Sequence, residues 1–150
     1  YVRLAIRPTE LRDVKRPERV RVAPLSAADV PAAHELYAHY PDNWFVAARV
    51  DEGCYVGGWD GEALVAVGGT HVVSNRTRVA ALGDIVTTPT RRGEGLGSFL
   101  THALCTELFT RVDLVVLNVR ETNAAARRAY EKVGFGSAIR HREGTPVRLA

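Results

Sequence analysis

Apolar and polar residues alternate in several short segments of the chain, which is the pattern of β-strands with one buried face. Two of these segments, Val2 to Ile6 and Arg19 to Pro24, come before the first helical pattern. Two others, Cys54 to Trp59 and Glu62 to Val73, are separated by Asp60-Gly61, a dipeptide typical of tight hairpin turns. The pattern therefore predicts strands in this part of the chain that pair as antiparallel neighbours.

Between the early strands and this hairpin, apolar residues recur at helical spacing. Ser26 to Asp29 has the residue types of a helix start, and the apolar positions continue to Tyr40. A Pro-Asp-Asn turn ends this helix, and we predict a short second helix from Trp44 to Val50. After the hairpin, Val79 to Thr87 has the pattern of a further strand.

The last third of the chain alternates between helix and strand patterns. Leucines spaced four residues apart, from Leu96 to Leu108, form one face of a helix, and Val112 to Val119 has the pattern of a buried strand. Asn123 is a good N-cap for a third helix, which Gly134 is placed to end. Two closing strands are predicted at Gly136 to Arg140 and Pro146 to Leu149.

The predicted elements describe one domain preceded by a charged segment. Their order, β-α-α-β-β-β-α-β-α-β-β, is that of an α/β or α+β fold in which helices cover a mixed sheet in three layers. A length of 150 residues is typical of a single domain. Because residues 8–17 are charged and have little to bury, residues 1–18 are interpreted as a linker or the tail of a preceding segment, and residues 19–150 as the domain.

The composition is that of an ordinary globular protein, with 46% hydrophobic and 25% charged residues. No run approaches the roughly 18 apolar residues that a membrane span needs, and the chain does not start with a signal segment, so a cytoplasmic protein is expected. Cys54 and Cys105 have neither the spacing of a metal site nor that of a disulfide framework, so two buried free thiols are predicted.

The positive charge of the chain is concentrated near its start. The first 22 residues carry seven basic and three acidic side chains, whereas the remaining residues carry 13 basic and 14 acidic ones. A nucleic-acid-binding domain more often carries its basic residues on the folded body, which is nearly neutral here. The basic segment is therefore interpreted as a solvated linker, with nucleic-acid contact as the alternative.

A glycine-rich turn, Arg92 to Gly97 with the sequence RGEGLG, lies between a predicted strand and the leucine-rich helix. The unpaired N–H groups and the positive end of the helix dipole lie at such a turn, and glycines let an anion approach the backbone. Arg91 and Arg92 add positive charge. These features predict a diphosphate site. The spacing matches neither the dinucleotide-binding motif nor the Walker motif. The alternative is a turn that only starts a helix.

These residues resemble the GNAT superfamily of N-acetyltransferases, whose diphosphate loop has the pattern Gln/Arg-x-x-Gly-x-Gly/Ala. Arg92, Gly95 and Gly97 match that pattern. The family also carries Asn-x-x-Ala-x-x-x-Tyr-x-x-x-Gly-Phe, which is matched in register by Asn123, Ala126, Tyr130, Gly134 and Phe135. The resemblance covers residues 19 to 150. A further similarity, at Tyr40 to Phe45 and Ala80 to Ile85, is to a branch of the GNAT superfamily whose members often have a second, degenerate GNAT-like half upstream.

The resemblance implies a three-layer α/β/α fold with a central mixed, mostly antiparallel sheet. It also implies an enzyme that moves an acetyl group from acetyl-CoA to a primary amine by direct attack, with no metal. In the family the pantetheine arm lies between two central strands, here Val79 to Thr87 and Val112 to Val119, and a backbone N–H at Val86 or Thr87 would polarise the acetyl carbonyl. The residues expected to bind acetyl-CoA are Ile85, Val86, Thr87, Arg91, Arg92, Gly93, Glu94, Gly95, Leu96, Gly97, Ser98, Asn123, Ala126 and Tyr130.

Three residues are candidates for proton transfer. Tyr130, in the family motif, is the candidate acid for the leaving thiolate, and its alternative role is core packing on the inner face of its helix. Asp84, just upstream of a strand end, and His71, on the neighbouring strand, are both candidates for the general base, and each also has a structural interpretation. No Ser-His-Asp or Cys-His order indicates a covalent enzyme intermediate.

The acceptor site is expected between the first two helices and the hairpin strands. Tyr37, Tyr40, Trp44 and Phe45 form an aromatic cluster there, and core packing is preferred for at least two of them. The acceptor, a small-molecule amine or a peptide, stays open, as do the acyl chain length and a homodimeric assembly. The alternative function is a non-catalytic acyl-CoA-binding or regulatory module, against which Tyr130 argues.

Overall fold

Seven strands and three α-helices make up the described part of the chain. The computed structural model describes residues 1–141, apart from the side chains of residues 137–139. The strands are β1 (Val2–Ile6), β2 (Val20–Pro24), β3 (Tyr55–Asp60), β4 (Ala63–Ser74), β5 (Val79–Thr87), β6 (Leu114–Val119) and β7 (Gly136–Arg140). The helices are α1 (Val30–Tyr37), α2 (Leu96–Leu108) and α3 (Ala124–Val133). The strand predicted at Pro146 to Leu149 lies outside the described residues.

The strands form one mixed sheet with helices on both faces. Within residues 1–141 the order is β2-β3-β4-β5-β6-β1-β7, and β5 and β6 are the only parallel neighbours. Helices α2 and α3 pack with β1, β5 and β6 in one core cluster, whereas α1 packs with β3 and β4 in another. The predicted three-layer fold with a mixed, mostly antiparallel sheet is therefore confirmed.

Local sequence signals set both ends of α3. The Asn123 side chain accepts the N–H of Ala126 at 3.1 Å, so it caps the helix as predicted. Gly134 ends the helix with φ of +120°, and a Cβ atom at this position would lie 2.1 Å from the carbonyl oxygen of Glu10. Glycine is the one residue that satisfies both the backbone conformation and the close contact.

The short helix predicted for residues 44–50 is wrong, because only Ala47–Arg49 form a single turn of 3₁₀ helix. The N–H groups of residues 44 and 46 bond instead to the Asp84 carboxylate and the Tyr55 hydroxyl. Val46 is extended, with φ of −124° and ψ of 107°, and the N–H groups of residues 49 and 50 bond to carbonyls three residues earlier, which is the 3₁₀ pattern. The segment becomes an anchored loop beside the sheet.

The first strand is an integral part of the sheet. It lies between β6 and β7, antiparallel to both, and Val2, Leu4 and Ile6 are buried in the same core cluster as α2 and α3. Further along the chain, Leu11 and Val14 pack against this cluster. Residues 1–18 therefore contact the domain closely, and their division from it as a linker stays a prediction.

Both cysteines are free, as predicted. Cys105 is buried in the core on α2, as predicted, whereas Cys54, just before β3, is only half-buried and departs from the prediction. Within residues 1–141, no helix is both long and apolar enough to cross a membrane. In the same part of the chain, no group of three or more His, Cys, Asp and Glu side chains is arranged to hold a metal ion.

Candidate active site

The two central strands diverge part-way along their length. β5 and β6 pair only as far as Leu82 and Leu117, although β5 continues to Thr87 and β6 to Val119. A cavity of about 790 Å³ lies along the facing edges of the two strands and is called the gap cavity below. Because backbone groups on these edges have no strand partner beyond Leu82, an extended molecule with alternating donors and acceptors can pair with them.

The glycine-rich turn before α2 presents its backbone to open space. Gly93 and Gly95 have φ of +83° and +82°, and a side chain at either position would meet nothing within 4 Å. Gly95 is also the N-cap of α2, whose first N–H groups have no partner within the helix. A second cavity of about 850 Å³, the loop cavity, lies between this turn and residues 13–19. The open backbone and the helix end together suit an anionic group.

Tyr130 on α3 lines the gap cavity. The residue is 8% exposed, and its ring packs edge-on against Phe135 with 6.1 Å between ring centres. Among residues 1–141 nothing pairs with the Tyr130 hydroxyl, which leaves it available as a donor. Burial raises the pKa of Tyr130 to about 12, so the phenol stays protonated at neutral pH.

The two candidates for the general base form a pair. His71 Nε2 lies 3.0 Å from Asp84 Oδ2, and the Asp84 side chain is 5% exposed. The other carboxylate oxygen accepts the N–H of Trp44 at 2.9 Å. Gly83 allows this arrangement, because a Cβ atom there would lie 2.1 Å from the His71 ring. Both side chains line the same cavity as Tyr130.

Asp84 is held in a backbone conformation that residues other than glycine rarely adopt. Its φ is +52°, and its carbonyl oxygen accepts the Tyr37 hydroxyl at 2.6 Å. Burial, with a smaller effect of the Asp84 carboxylate, raises the pKa of Tyr37 far above its ordinary value, which keeps the phenol a neutral donor. Such a backbone costs about 1–3 kcal/mol and persists where the surroundings hold it, often at functional sites. Hydrogen bonds from three other residues hold Asp84.

Residues 18–135 match the model of the acetyltransferase (GNAT) family. The chain belongs to the GNAT family. The matched region contains both motifs that resemble the family, the glycine-rich turn at residues 92–97 and the segment from Asn123 to Phe135. The predicted family is therefore confirmed.

Solved structures share the fold of this GNAT chain. A putative acetyltransferase from Novosphingobium aromaticivorans aligns with a TM-score of 0.73 and 22% identity, over 91% of this chain and 60% of that one. A GNAT acetyltransferase from Colwellia psychrerythraea aligns with a TM-score of 0.76 and 20% identity, over 92% of this chain and 53% of that one. The ribosomal-protein-S18-alanine N-acetyltransferase from Escherichia coli aligns with a TM-score of 0.67 and 27% identity, over 80% and 79%. This GNAT chain thus spans 60% or less of the first two proteins.

Hydrogen bonds to other side chains hold the two arginines at the glycine-rich turn. Arg91 donates to Glu94 at 2.7 Å and to Asp60 at 2.8 Å, so two carboxylates balance its charge. Arg92 donates to the Tyr40 hydroxyl at 2.9 Å and lies over the Tyr40 ring, 5.2 Å from its centre. The backbone N–H groups are therefore the open donors of this loop, and a phosphate contact by either arginine stays a prediction.

The predicted acetyl-CoA-binding residues of the GNAT chain divide between the two cavities. Those that line the gap cavity are Ile85, Val86, Asn123, Ala126 and Tyr130. Those that line the loop cavity are Arg91, Gly93, Glu94, Gly95 and Ser98. Those that line neither are Thr87, Arg92, Leu96 and Gly97. Leu96 is a core residue, and the Ser98 hydroxyl donates to the carbonyl of Ala129 at 3.1 Å, so both side chains serve packing.

Arg49 is a residue of the site that the sequence did not indicate. It lines the gap cavity, and its guanidinium donates to the carbonyls of His71 at 2.9 Å and Thr70 at 3.4 Å. It also donates to the Sγ atom of Cys54 at 3.2 Å. These contacts fix the part of β4 that carries His71. No local pattern identifies such a residue, because its main partners lie 21 and 22 positions away in the chain.

Proposed function

We propose that this GNAT chain transfers the acetyl group of acetyl-CoA to a primary amine, which attacks the thioester directly. The observation that carries the proposal is the gap cavity, where the diverging strands, Tyr130 and the His71–Asp84 pair come together. Membership of the GNAT family, which implies the use of acetyl-CoA, supports it. Acetyl-CoA supplies an acetyl group that is already activated as a thioester.

The residues present suit acetyl-CoA. The amide groups of a pantetheine arm match the unpaired backbone of β5 beyond Leu82, and an N–H at Val86 or Thr87 would polarise the acetyl carbonyl. The open turn at Gly93 and Gly95, with the first N–H groups of α2, suits the diphosphate. The proposed acetyl-CoA site therefore consists mainly of backbone N–H groups.

His71 takes the proton of the attacking amine in this proposal. A carboxylate only accepts hydrogen bonds, so the proton between the two side chains lies on His71 Nε2. Nδ1 then keeps its lone pair and accepts the amine proton, directly or through a water molecule. Asp84 is a positioning residue, because it fixes the tautomer of His71. The two candidates for the general base thus act together.

Tyr130 assists the departure of the sulfur. As the amine nitrogen bonds to the acetyl carbon and the carbon–sulfur bond breaks, the Tyr130 hydroxyl donates a hydrogen bond to the developing thiolate. The reference pKa of a phenol, about 10, exceeds that of a thiol, about 8.5, so complete proton transfer is uphill. The raised pKa of Tyr130 widens that difference. The hydrogen bond still stabilises the charge, and solvent supplies the proton of the final thiol.

Two measurements test the proposal. The first is calorimetric titration of the protein with acetyl-CoA and with CoA, and the second follows CoA release from acetyl-CoA in the presence of amines. Because the Escherichia coli structure is that of an enzyme for an alanine of ribosomal protein S18, the amines include peptides that begin with alanine as well as propylamine and 2-phenylethylamine. Binding of both cofactor forms, with amine-dependent CoA release, supports the proposal.

The other outcomes of these measurements distinguish the proposed catalysis from the proposed binding of acetyl-CoA. Binding without CoA release by any amine favours the non-catalytic acyl-CoA-binding module over an enzyme. Absence of binding contradicts the assignment of the glycine-rich turn to a diphosphate. Gly95→Asp, which places a carboxylate beside the open backbone of this turn, is expected to abolish binding, and retained affinity in this variant contradicts the same assignment.

A further inference from the structure

Trp44 is a large apolar residue that lies exposed at the gap cavity. It is 75% exposed, and it lines the cavity beside Asp84. Val46, two residues further on, is 47% exposed and lines the same cavity. An indole on the surface gives up the burial that normally stabilises this side chain, so an exposed tryptophan at the mouth of a cavity marks a contact surface.

The backbone that carries Trp44 is fixed on both sides. The Asn43 side chain donates to the carbonyl of Tyr40 at 2.7 Å and accepts the N–H of Phe45 at 3.0 Å. The Phe45 ring stacks on Tyr37 with 4.8 Å between ring centres. The exposure of Trp44 is therefore a property of an anchored loop, in which the residues on either side of it turn towards the protein.

One carboxylate connects this loop to the proposed general base. Asp84 accepts the N–H of Trp44 with one oxygen at 2.9 Å and holds His71 Nε2 with the other at 3.0 Å. Two hydrogen bonds and the width of a carboxylate therefore limit the distance from the Trp44 nitrogen to the imidazole to about 8 Å. An amine next to His71 therefore shares the gap cavity with Trp44, whose backbone nitrogen lies within that distance of the imidazole.

We infer that Trp44 is a specificity-determining residue and that the acceptor is a primary amine with a planar apolar group two carbons from its nitrogen. This inference rests on the proposed function. With the nitrogen at His71, such a group lies against the Trp44 ring, where aromatic contact and burial of the indole favour binding. Arylethylamines and peptides with an aromatic first residue share this chemistry.

The test compares amines that differ only in this group. CoA release is followed with 2-phenylethylamine, with 2-cyclohexylethylamine, which has the same length without a planar ring, and with propylamine. For the unaltered protein, kcat/KM for 2-phenylethylamine is expected to exceed that for propylamine by at least about tenfold, with 2-cyclohexylethylamine between them. Equal values for the three amines contradict the inference.

Two variants assign the preference to Trp44. Trp44→Ala is expected to lower kcat/KM for 2-phenylethylamine by about tenfold or more and for propylamine far less, whereas Trp44→Phe keeps most of the preference. The control is Val72→Ala, which shortens an apolar residue of β4 that is 58% exposed but does not line the gap cavity. A Trp44→Ala variant that loses the same factor with every amine shows a structural role and contradicts the inference.

Fluorescence separates this inference from the proposed function. Trp59, the other tryptophan, is 8% exposed, so a change in tryptophan emission on binding of 2-phenylethylamine comes mainly from Trp44 and should disappear in Trp44→Phe. Such a change without turnover of any amine supports the contact and contradicts the enzyme. Turnover without aromatic preference supports the enzyme and contradicts the contact.

A last comparison shows whether the acceptor that carries the planar group is a peptide or a small amine. The dipeptide amides Phe-Gly-NH₂ and Ala-Gly-NH₂ have the same backbone, and only the first places a ring two carbons from the amine. A larger kcat/KM for the phenylalanine peptide than for 2-phenylethylamine indicates a peptide acceptor, and the reverse order indicates a small arylethylamine. Equal rates for the two dipeptides, together with equal rates for the small amines, contradict the inference.

Discussion

Tyr130 has one hydrogen-bonding atom and no described partner for it, which is unusual for a buried phenol. We predict that Tyr130→Phe lowers kcat by about 10²-fold, because the loss of one hydrogen-bond donor to developing charge costs about 10²–10³-fold in enzymes. The substitution removes one oxygen atom and keeps the contact with Phe135, so affinity for acetyl-CoA should change little. Steady-state kinetics and calorimetry check both statements. Unchanged kcat would assign Tyr130 to core packing.

Asp84 provides a second test at the residue scale. Asn tolerates the left-handed backbone at this position, and its amide group can donate to His71, so Asp84→Asn favours the tautomer in which Nδ1 carries the proton. We predict a loss of about 10²-fold in kcat with little change in the KM for acetyl-CoA.

The double variant decides how Asp84 acts. If it acts through His71, then Asp84→Asn together with His71→Ala is no slower than His71→Ala alone, because the step that depends on Asp84 is already lost. Additive losses would show that Asp84 has a separate structural role. Kinetics of the two single variants and the double variant, with their unfolding free energies, distinguish these cases.

The candidate site could be predicted only in part from the residues. The glycine-rich turn and Tyr130 lie in contiguous motifs, so their neighbours are fixed by the sequence itself. The pairing of His71 with Asp84 depends instead on the register of β4 against β5, which shifts between Thr70 and Val72. The phosphate contact of Arg92 stays a prediction, and its contact with Tyr40, 52 positions away in the chain, is not indicated by the sequence. Residues in different elements meet through tertiary packing, which a linear pattern does not contain.

At the scale of elements, the link between α3 and β7 depends on a single glycine. Gly134 combines a positive φ with a close approach to the Glu10 carbonyl. Gly134→Ala is predicted to lower the free energy of unfolding by about 2–4 kcal/mol, because it adds both backbone strain and a clash. Gly136→Ala is the matched control, since a Cβ atom there meets nothing within 4 Å. Urea unfolding of both variants checks the difference, and equal stabilities contradict it.

Helices and strands were predicted well where residues at their own ends determine where they begin and end. The first and last residues of α3 follow from Asn123 and Gly134, and the β3–β4 hairpin follows from Asp60-Gly61. The α-helix expected at residues 44–50 does not form, because Val46 is extended and contacts with other elements anchor the segment as a loop. The strand Val2–Ile6 was predicted, but its place between β6 and β7 was not, because its partners are more than 100 residues away.

At the scale of the whole molecule, the core contains an ionisable group that makes stability depend on pH. Burial raises the pKa of the Cys105 thiol from 9.0 to about 12. Folding therefore favours the neutral thiol. Its contribution to the free energy of unfolding is complete below pH 9, and it is lost as the pH rises from 9 towards 12, because the thiol ionises first in the unfolded chain. We predict that the free energy of unfolding falls between pH 9 and 10 by up to about 1.4 kcal/mol per pH unit from this group.

Cys105→Ala should flatten that part of the stability curve. Chemical unfolding is measured at steps between pH 7 and 10, and the buried tyrosines, whose ordinary pKa is about 10, affect both proteins alike, so the difference between the two curves comes from Cys105. The variant loses some packing at every pH, so its curve lies lower but parallel to the original between pH 7 and 8. Curves that stay parallel up to pH 10 contradict the prediction.

The position of β1 between β6 and β7 also determines when the molecule can finish folding. During synthesis, Val2–Ile6 is made more than 100 residues before the strands on either side of it. At about 5–20 residues per second, this delay is roughly 5–30 s, during which the apolar face of β1 has no native partner. The β2–β5 half of the sheet contains adjacent hairpins and forms early, whereas the other half requires closure of a very long loop. Folding should therefore end at β1, and until then the growing chain exposes an edge strand on which chaperones can act.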